Sequence, residues 1–212
     1  MDGNWHKLQR SFYLQDDVLK IAKELIGKLL VTHFNDVICA AWIVETEAYN
    51  GIVDKASHAY GGKRTSRTST MYMEGGCSYV YLCYGMHHLF NVVTNSKDIP
   101  HAVLIRAVQP EIGKDHMLIR TSKKISDKTL GSGPGNVSKA LGIQTSHNGI
   151  DLCSDLIYIA DDAYKIDAFS IKSTPRIGVD YAGDDAYLPY RFLMNDNPYV
   201  SAKKLTKKYL CV

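Results

Sequence analysis

Two glutamates close an otherwise apolar run. The chain reads Val44-Glu45-Thr46-Glu47-Ala48-Tyr49 at the end of a segment that is mostly apolar from Val37 onward. In a strand, Glu45 and Glu47 share one face, and Tyr49 joins them if the strand continues. On pattern alone, the solvated face of an edge strand is the commoner origin of such a pair. The chemical alternative is a carboxylate acting as general base. Tyr79 and Tyr81 share a face in the same way, and Tyr84 follows at a tight turn with Gly85 and Met86. That set is either an aromatic cross-strand ladder with an untidy tip or a probe that pushes into something outside the protein, such as a base stack. The loop Gly61-Gly62-Lys63-Arg64-Thr65-Ser66-Arg67-Thr68 mixes glycine, hydroxyls and three cations. It suits phosphate contacts, and a merely solvated loop explains it equally well; the spacing of a nucleotide-binding P-loop is absent. Gly131-Ser132-Gly133-Pro134-Gly135 precedes a helix and could turn amides toward a phosphate.

The elements that must position these groups can be read from periodicity and turn residues. Asp16 to Gly27 predicts a helix capped by Asp16 and ended by Gly27. Strands are expected over 28–34 and 37–47 with Asn35-Asp36 as the turn, and residues 50–76 read as a long functional loop. A hairpin is expected from Tyr79–Tyr84 and His87–Thr94 around Gly85. Ala102–Val108 reads as a strand, Pro110–Arg120 as a helix, 121–135 as a loop and Val137–Leu141 as a short helix closed by Gly142. Later strands are expected near Leu156–Ile159, Arg176–Val179 and Tyr190–Met194. The tail from Ala202 is basic through Lys203, Lys204, Lys207 and Lys208. Strands and helices do not alternate regularly, so the fold class is α+β. The expectation is one domain over residues 1–212, a largely antiparallel curved sheet flanked by helices, with a protruding β-hairpin.

Composition sets the outer bounds. With 212 residues, 45% apolar and 22% charged, the chain can bury a core and is not disordered. A net charge of +3 permits nucleic-acid binding without requiring it. Five scattered cysteines (39, 77, 83, 153, 211) include no Cys-x-x-Cys and fit reduced thiols. The eight histidines lack ligand spacing, so no metal site and no cofactor is expected. Neither a leader peptide nor a membrane span is legible, which sets the expectation of a cytoplasmic protein. Fourteen tyrosines against five phenylalanines suit a pocket for flat heterocycles.

Taken in order, Val44–Tyr49, His58, Gly61-Gly62, Thr65-x-Arg67, Met71-Tyr72-Met73, Tyr79-Val80-Tyr81-x-x-Tyr84-Gly85-Met86 and Asn91 resemble the alkyladenine (3-methyladenine) DNA glycosylase family. The match continues through Val103–Ala107, Gly133-Pro134, Arg176-Ile177-Gly178 and Asn197-Pro198-x-Val200-Ser201. The resemblance implies that Glu47 activates water, with Arg106 and the backbone of Ile177 beside that water. Tyr49, His58 and Tyr81 are implied to hold an extruded base, and Asn91 to disfavour normal guanine. Tyr84 is implied to fill the gap in the duplex with Met86 beside it, and Lys63, Arg64, Thr65 and Arg67 to meet the DNA backbone. Asn136 stands where relatives commonly carry lysine.

The implied activity is removal of alkylated or deaminated purines (3-methyladenine, 7-methylguanine, ethenoadenine, hypoxanthine) from double-stranded DNA. The implied enzyme is a monomeric, metal-free hydrolase without lyase activity, associated with the nucleoid if bacterial. Two other readings exist. One is a helix-hairpin-helix glycosylase using Asp151, or a lyase acting through a lysine. The other is a non-catalytic module that senses lesions in DNA or RNA.

Overall fold

The computed structural model describes residues 5–161 and 170–201. The basic tail from Ala202 and the first four residues lie outside the described residues. The elements are β1 (His6–Lys7), α1 (Arg10–Tyr13), α2 (Val18–Glu24), β2 (Leu29–Phe34), β3 (Val37–Tyr49), β4 (Ser78–Cys83), β5 (His87–Thr94), β6 (His101–Ile112), α3 (Lys114–Thr121), α4 (Pro134–Leu141), β7 (Ile157–Asp161), β8 (Ile171–Thr174) and β9 (Arg191–Met194).

The strands form one open sheet in the order β1-β7-β2-β3-β6-β5-β4, and β9 pairs with both β3 and β8. Every described pairing of named strands is antiparallel. The architecture is α+β, as the sequence predicts. Helices α2, α3 and α4 cover one face, where Ile21, Leu25, Met117, Val137 and Leu141 pack with Ile43, Phe90 and Ile105. Burying this apolar face is the main force holding helices to sheet.

Local chemistry explains most boundaries. Asn35 and Asp36 take φ of 51° and 61°, which suits the two-residue turn joining β2 to β3. The cap of α2 is Asp17 rather than Asp16; its side chain accepts from Leu19 N at 2.8 Å and Lys20 N at 3.1 Å. Gly142, at φ 76°, ends α4.

Two expected elements are corrected. The helix expected from Pro110 begins at Lys114, because β6 runs on to Ile112. Proline is tolerated in this strand beside a register shift, where Ala40 pairs with Ile112 and Ala41 with Pro110. Residues 176–179 are a loop rather than a strand. β8 ends at Thr174, before Pro175, which has no amide hydrogen for the ladder. The stretch read as loop between 50 and 76 contains short 3-10 turns at Gly51–Val53, Tyr60–Gly62 and Ser69–Tyr72.

Candidate active site

A bulge in β3 decides where the glutamates point. Cys39, Ala41 and Ile43 face the helix-covered core. Strict alternation would send Glu45 and Glu47 after them. The β3–β6 register instead shifts between Ile43 and Glu45 and again between Glu45 and Thr46. After the shift it is Thr46 and Ala48 that face the helices; Thr46 Oγ1 donates to Ala22 O of α2 at 2.8 Å. Glu45, Glu47 and Tyr49 pass to the other face. A bulge re-aims side chains in this way and is common beside functional sites.

That other face collects the candidate residues in one row. Tyr79 of β4 pairs with Asn91 of β5, Asn91 with Leu104 of β6, Leu104 with Glu47 of β3, and Glu47 with Arg191 of β9. Side chains of directly paired residues lie on the same face. Tyr81, Arg106 and Tyr49 join the row because alternate residues along a strand share its face. Above it lies a cavity of about 610 Å³ lined by Tyr49, His58, Tyr79, Tyr81, Asn91 and Arg106, with the loop 177–179 and Tyr181 opposite.

Glu47 is 0% exposed. Its Oε1 accepts from the Ile177 amide at 2.7 Å. Its Oε2 accepts from Tyr49 OH at 2.9 Å and Arg106 Nη1 at 3.3 Å. All three donors line the cavity, so the carboxylate sits one layer beneath its floor. Both the breakdown of strand structure after Thr174 and the bulge serve this contact, since an amide engaged in a ladder could not reach Glu47. Burial and the neighbouring Glu47 hold the Tyr49 hydroxyl pKa well above its ordinary value, so the phenol stays protonated and donates.

Arg106 bridges the two glutamates, its Nε lying 3.3 Å from Glu45 Oε1. Glu45 also accepts from Arg191 Nε at 2.6 Å, Ser201 N at 2.6 Å and Ser201 Oγ at 3.0 Å. Both carboxylates are therefore buried in a central strand, and neither belongs to a solvated edge. Burial would weaken the charge on Arg106, but Glu47 and Glu45 outweigh it and raise its pKa.

His58 Nδ1 lies 2.9 Å from Tyr79 OH, and its ring meets Tyr81 edge-on with centroids 4.8 Å apart. Burial, and secondarily Arg67, lower its pKa to about 4. The imidazole is thus neutral near pH 7. Between pH 6.5 and about 4 the unfolded chain takes up a proton at His58 that the folded chain refuses, so stability falls as pH falls through that window. The urea midpoint of wild type should fall relative to that of His58→Gln as pH is lowered from 6.5 toward 4. A constant difference across the range would contradict this.

Asn91 is held by Nδ2 donating to Tyr79 O at 3.0 Å and Leu89 O at 3.4 Å. Tyr84 stands at the hairpin tip, 90% exposed, and Met86 beside it is 69% exposed. Tyr84 has φ 50° and Gly85 φ 69°. A tyrosine in this left-handed region is unusual and lacks the local hydrogen bonding that lets asparagine settle there.

The cationic loop is divided. Arg67 lies over the Tyr81 ring at 4.7 Å and lines the cavity. Arg64 pairs with Asp98 at 2.7 Å and stacks on Tyr72 at 3.8 Å. Thr65 braces its own turn through Thr68, and Lys63 is exposed. Asp151, the carboxylate of the alternative reading, pairs with Arg10 at 2.6 Å, and its residue does not line this cavity.

Sequence reasoning put Tyr79 on the face of Tyr81 but gave it no place in the pocket, which it lines. It passed over Asp54, whose carboxylate holds Arg176 through Nη1 at 2.5 Å and Nη2 at 2.9 Å. Arg176 in turn lies over Tyr49 at 4.9 Å and precedes Ile177. Removing one partner of a buried pair strands the other charge, at about 3–5 kcal/mol. Arg176→Met should lower stability by that amount in urea unfolding, and adding Asp54→Asn should recover part of it. Additive losses would deny the coupling.

Residues 11–198 match the family model described as methylpurine-DNA glycosylase. A Chlamydia felis protein named "Putative 3-methyladenine DNA glycosylase" is 49% identical over 189 residues, which cover 89% of this chain and 96% of that one. Proteins with the same name from Desulfitobacterium hafniense and Clostridium perfringens are 45% and 44% identical, each covering 93% of this chain and 99% or more of their own. The chain belongs to the methylpurine-DNA glycosylase family.

Among the described residues, no group of His, Cys, Asp and Glu could hold a metal ion, and Cys39, Cys77, Cys83 and Cys153 are free. No described helix is long and apolar enough to cross a membrane.

Proposed function

We propose that the chain is a monofunctional glycosylase that extrudes alkylated or deaminated purines from duplex DNA and hydrolyses their N-glycosidic bond. The reading covers 3-methyladenine, 7-methylguanine, ethenoadenine and hypoxanthine. The observation that carries it is the Glu47 carboxylate, buried directly under a tyrosine-lined cavity of purine-accommodating size.

Tyr84 enters the base stack and holds open the gap, and the damaged nucleotide swings into the cavity. Extrusion costs a few kcal/mol, least for damaged or mispaired bases. The faces of Tyr49, Tyr79 and Tyr81 attract a cationic purine. A neutral His58 adds no repulsion to that cation. Asn91, fixed to two backbone carbonyls, crowds the exocyclic amine of normal guanine.

A water entering between Arg106, Tyr49 and Ile177 reaches Glu47. Its oxygen bonds to C1′ of the sugar as the C1′–N bond breaks. The electron pair of that bond leaves with the base, which departs neutral if it was a cation and otherwise as an anion that then takes up a proton, the water having released one. Glu47 accepts the proton of the water and stabilises the positive charge that develops on the sugar. The products are free base and an abasic site. We read the whole chain as one domain acting as a monomer in the cytoplasm, on nucleoid DNA if bacterial.

The test is a panel of duplexes carrying each lesion, assayed by chromatography for free base and by gel for strand breaks before alkali. Free base with intact strands is expected. Breaks without alkali would remove the monofunctional assignment. Binding without release of any base would favour a lesion-sensing module.

A further inference from the structure

A second hollow, of about 760 Å³, adjoins the aromatic cavity. His87 and Gly135 line both, whereas Tyr84 borders only the first and Met86 only the second. The two hollows therefore flank the hairpin tip. The walls of the second carry Arg120, Lys139, His88 and His147, and among the described residues no carboxylate lines it. Among the described residues, neither Arg120 nor Lys139 has an acidic side chain within ion-pair distance.

The polar groups here are chiefly donors. His88 Nδ1 accepts from Thr145 N at 3.2 Å, and His147 Nδ1 accepts from Gln144 N at 3.0 Å. Each ring must then carry its hydrogen on Nε2. Ser138, which also lines the hollow, is fully buried, and its hydroxyl has no hydrogen-bond partner among the described residues. Buried hydroxyls are ordinarily satisfied, so one left open beside two cations marks a place for an acceptor. A ligand that only accepts hydrogen bonds and carries negative charge fits this set, as a phosphodiester does.

We infer that this hollow holds a phosphate of the strand opposite the lesion. The inference rests on the glycosylase reading above. A wedge driven into a duplex has one strand on each side. The cavity beside Tyr84 takes the nucleotide extruded from the damaged strand. The hollow beside Met86 and Lys139 then faces the strand that stays stacked. Lys139 is exposed, so Lys139→Ala does not threaten the fold. Ser138→Ala removes a hydroxyl that bonds to none of the described residues.

The experiment measures affinity against salt for a duplex with a tetrahydrofuran abasic analogue and for the same damaged strand alone. For Lys139→Ala, the duplex slope of log K against log salt is expected to shrink by about 0.9. The slope for the strand alone stays as in wild type. Ser138→Ala weakens duplex binding severalfold and leaves single-strand binding unchanged. An unchanged duplex slope in Lys139→Ala, or an equal loss on the strand alone, overturns the inference, as does unaltered duplex binding by Ser138→Ala. Release of methylated purine by the wild type, measured on lesion duplexes of the same sequence, judges the glycosylase reading separately.

Discussion

Glu47→Gln is expected to slow single-turnover release of a methylated purine by about 10³-fold while binding to lesion DNA stays within a few-fold of wild type. The amide keeps the size of the carboxylate and loses its basicity and charge. It also brings a cost in stability. Oε1 of Glu47 faces the Ile177 amide, and Oε2 faces both Tyr49 OH and Arg106. Whichever way glutamine turns, its NH₂ meets a donor, at about 1–3 kcal/mol. Tm should therefore drop by several degrees with the fold intact by circular dichroism. Arg106 keeps Glu45 as a partner, which limits the damage. If the variant released base within tenfold of wild type, Glu47 would not be the base.

Tyr84→Ala tests the other half of the reaction. Its side chain is almost wholly exposed, so stability should move by no more than about 0.5 kcal/mol. Excision from duplex should fall by about 10²-fold, because a few kcal/mol of unstacking loses its compensation. Excision of the same lesion from a single strand, which has no paired stack to refill, should change only a few-fold. Equal losses on both substrates would show that Tyr84 acts elsewhere than in the stack.

Much of the fold and of the cavity's lining is legible in the sequence. Alternation alone put Tyr79 with Tyr81 on one face, and the ordered motifs from Glu47 to Ile177 located the cavity that the sheet then assembles. The pattern did not disclose the depth of Glu45 and Glu47. Burial of a carboxylate depends on partners far along the chain, here Arg106, Arg191 and Ser201 for Glu45, which no local window contains. The Asp54–Arg176 pair escaped for the same reason, joining a loop to a segment 122 residues away. The Pro110 helix was misread because proline normally opens helices more readily than it ends a long strand, and a register shift beside it removed the usual penalty.

The parity change in β3 also limits how this gene can vary in length. Losing one residue between Ile43 and Glu45 would leave the two acids and the tyrosine on the cavity side but throw β3 out of step with β6, whose own parity changes between Ile105 and Val108. Adding or removing a residue in the exposed turn 60–66 would cost the fold far less, because no ladder counts residues there. Natural insertions and deletions should accordingly gather in that stretch and spare the four positions around Val44, so that reading-frame-preserving indel libraries would show a sharp gap at one spot in the strand.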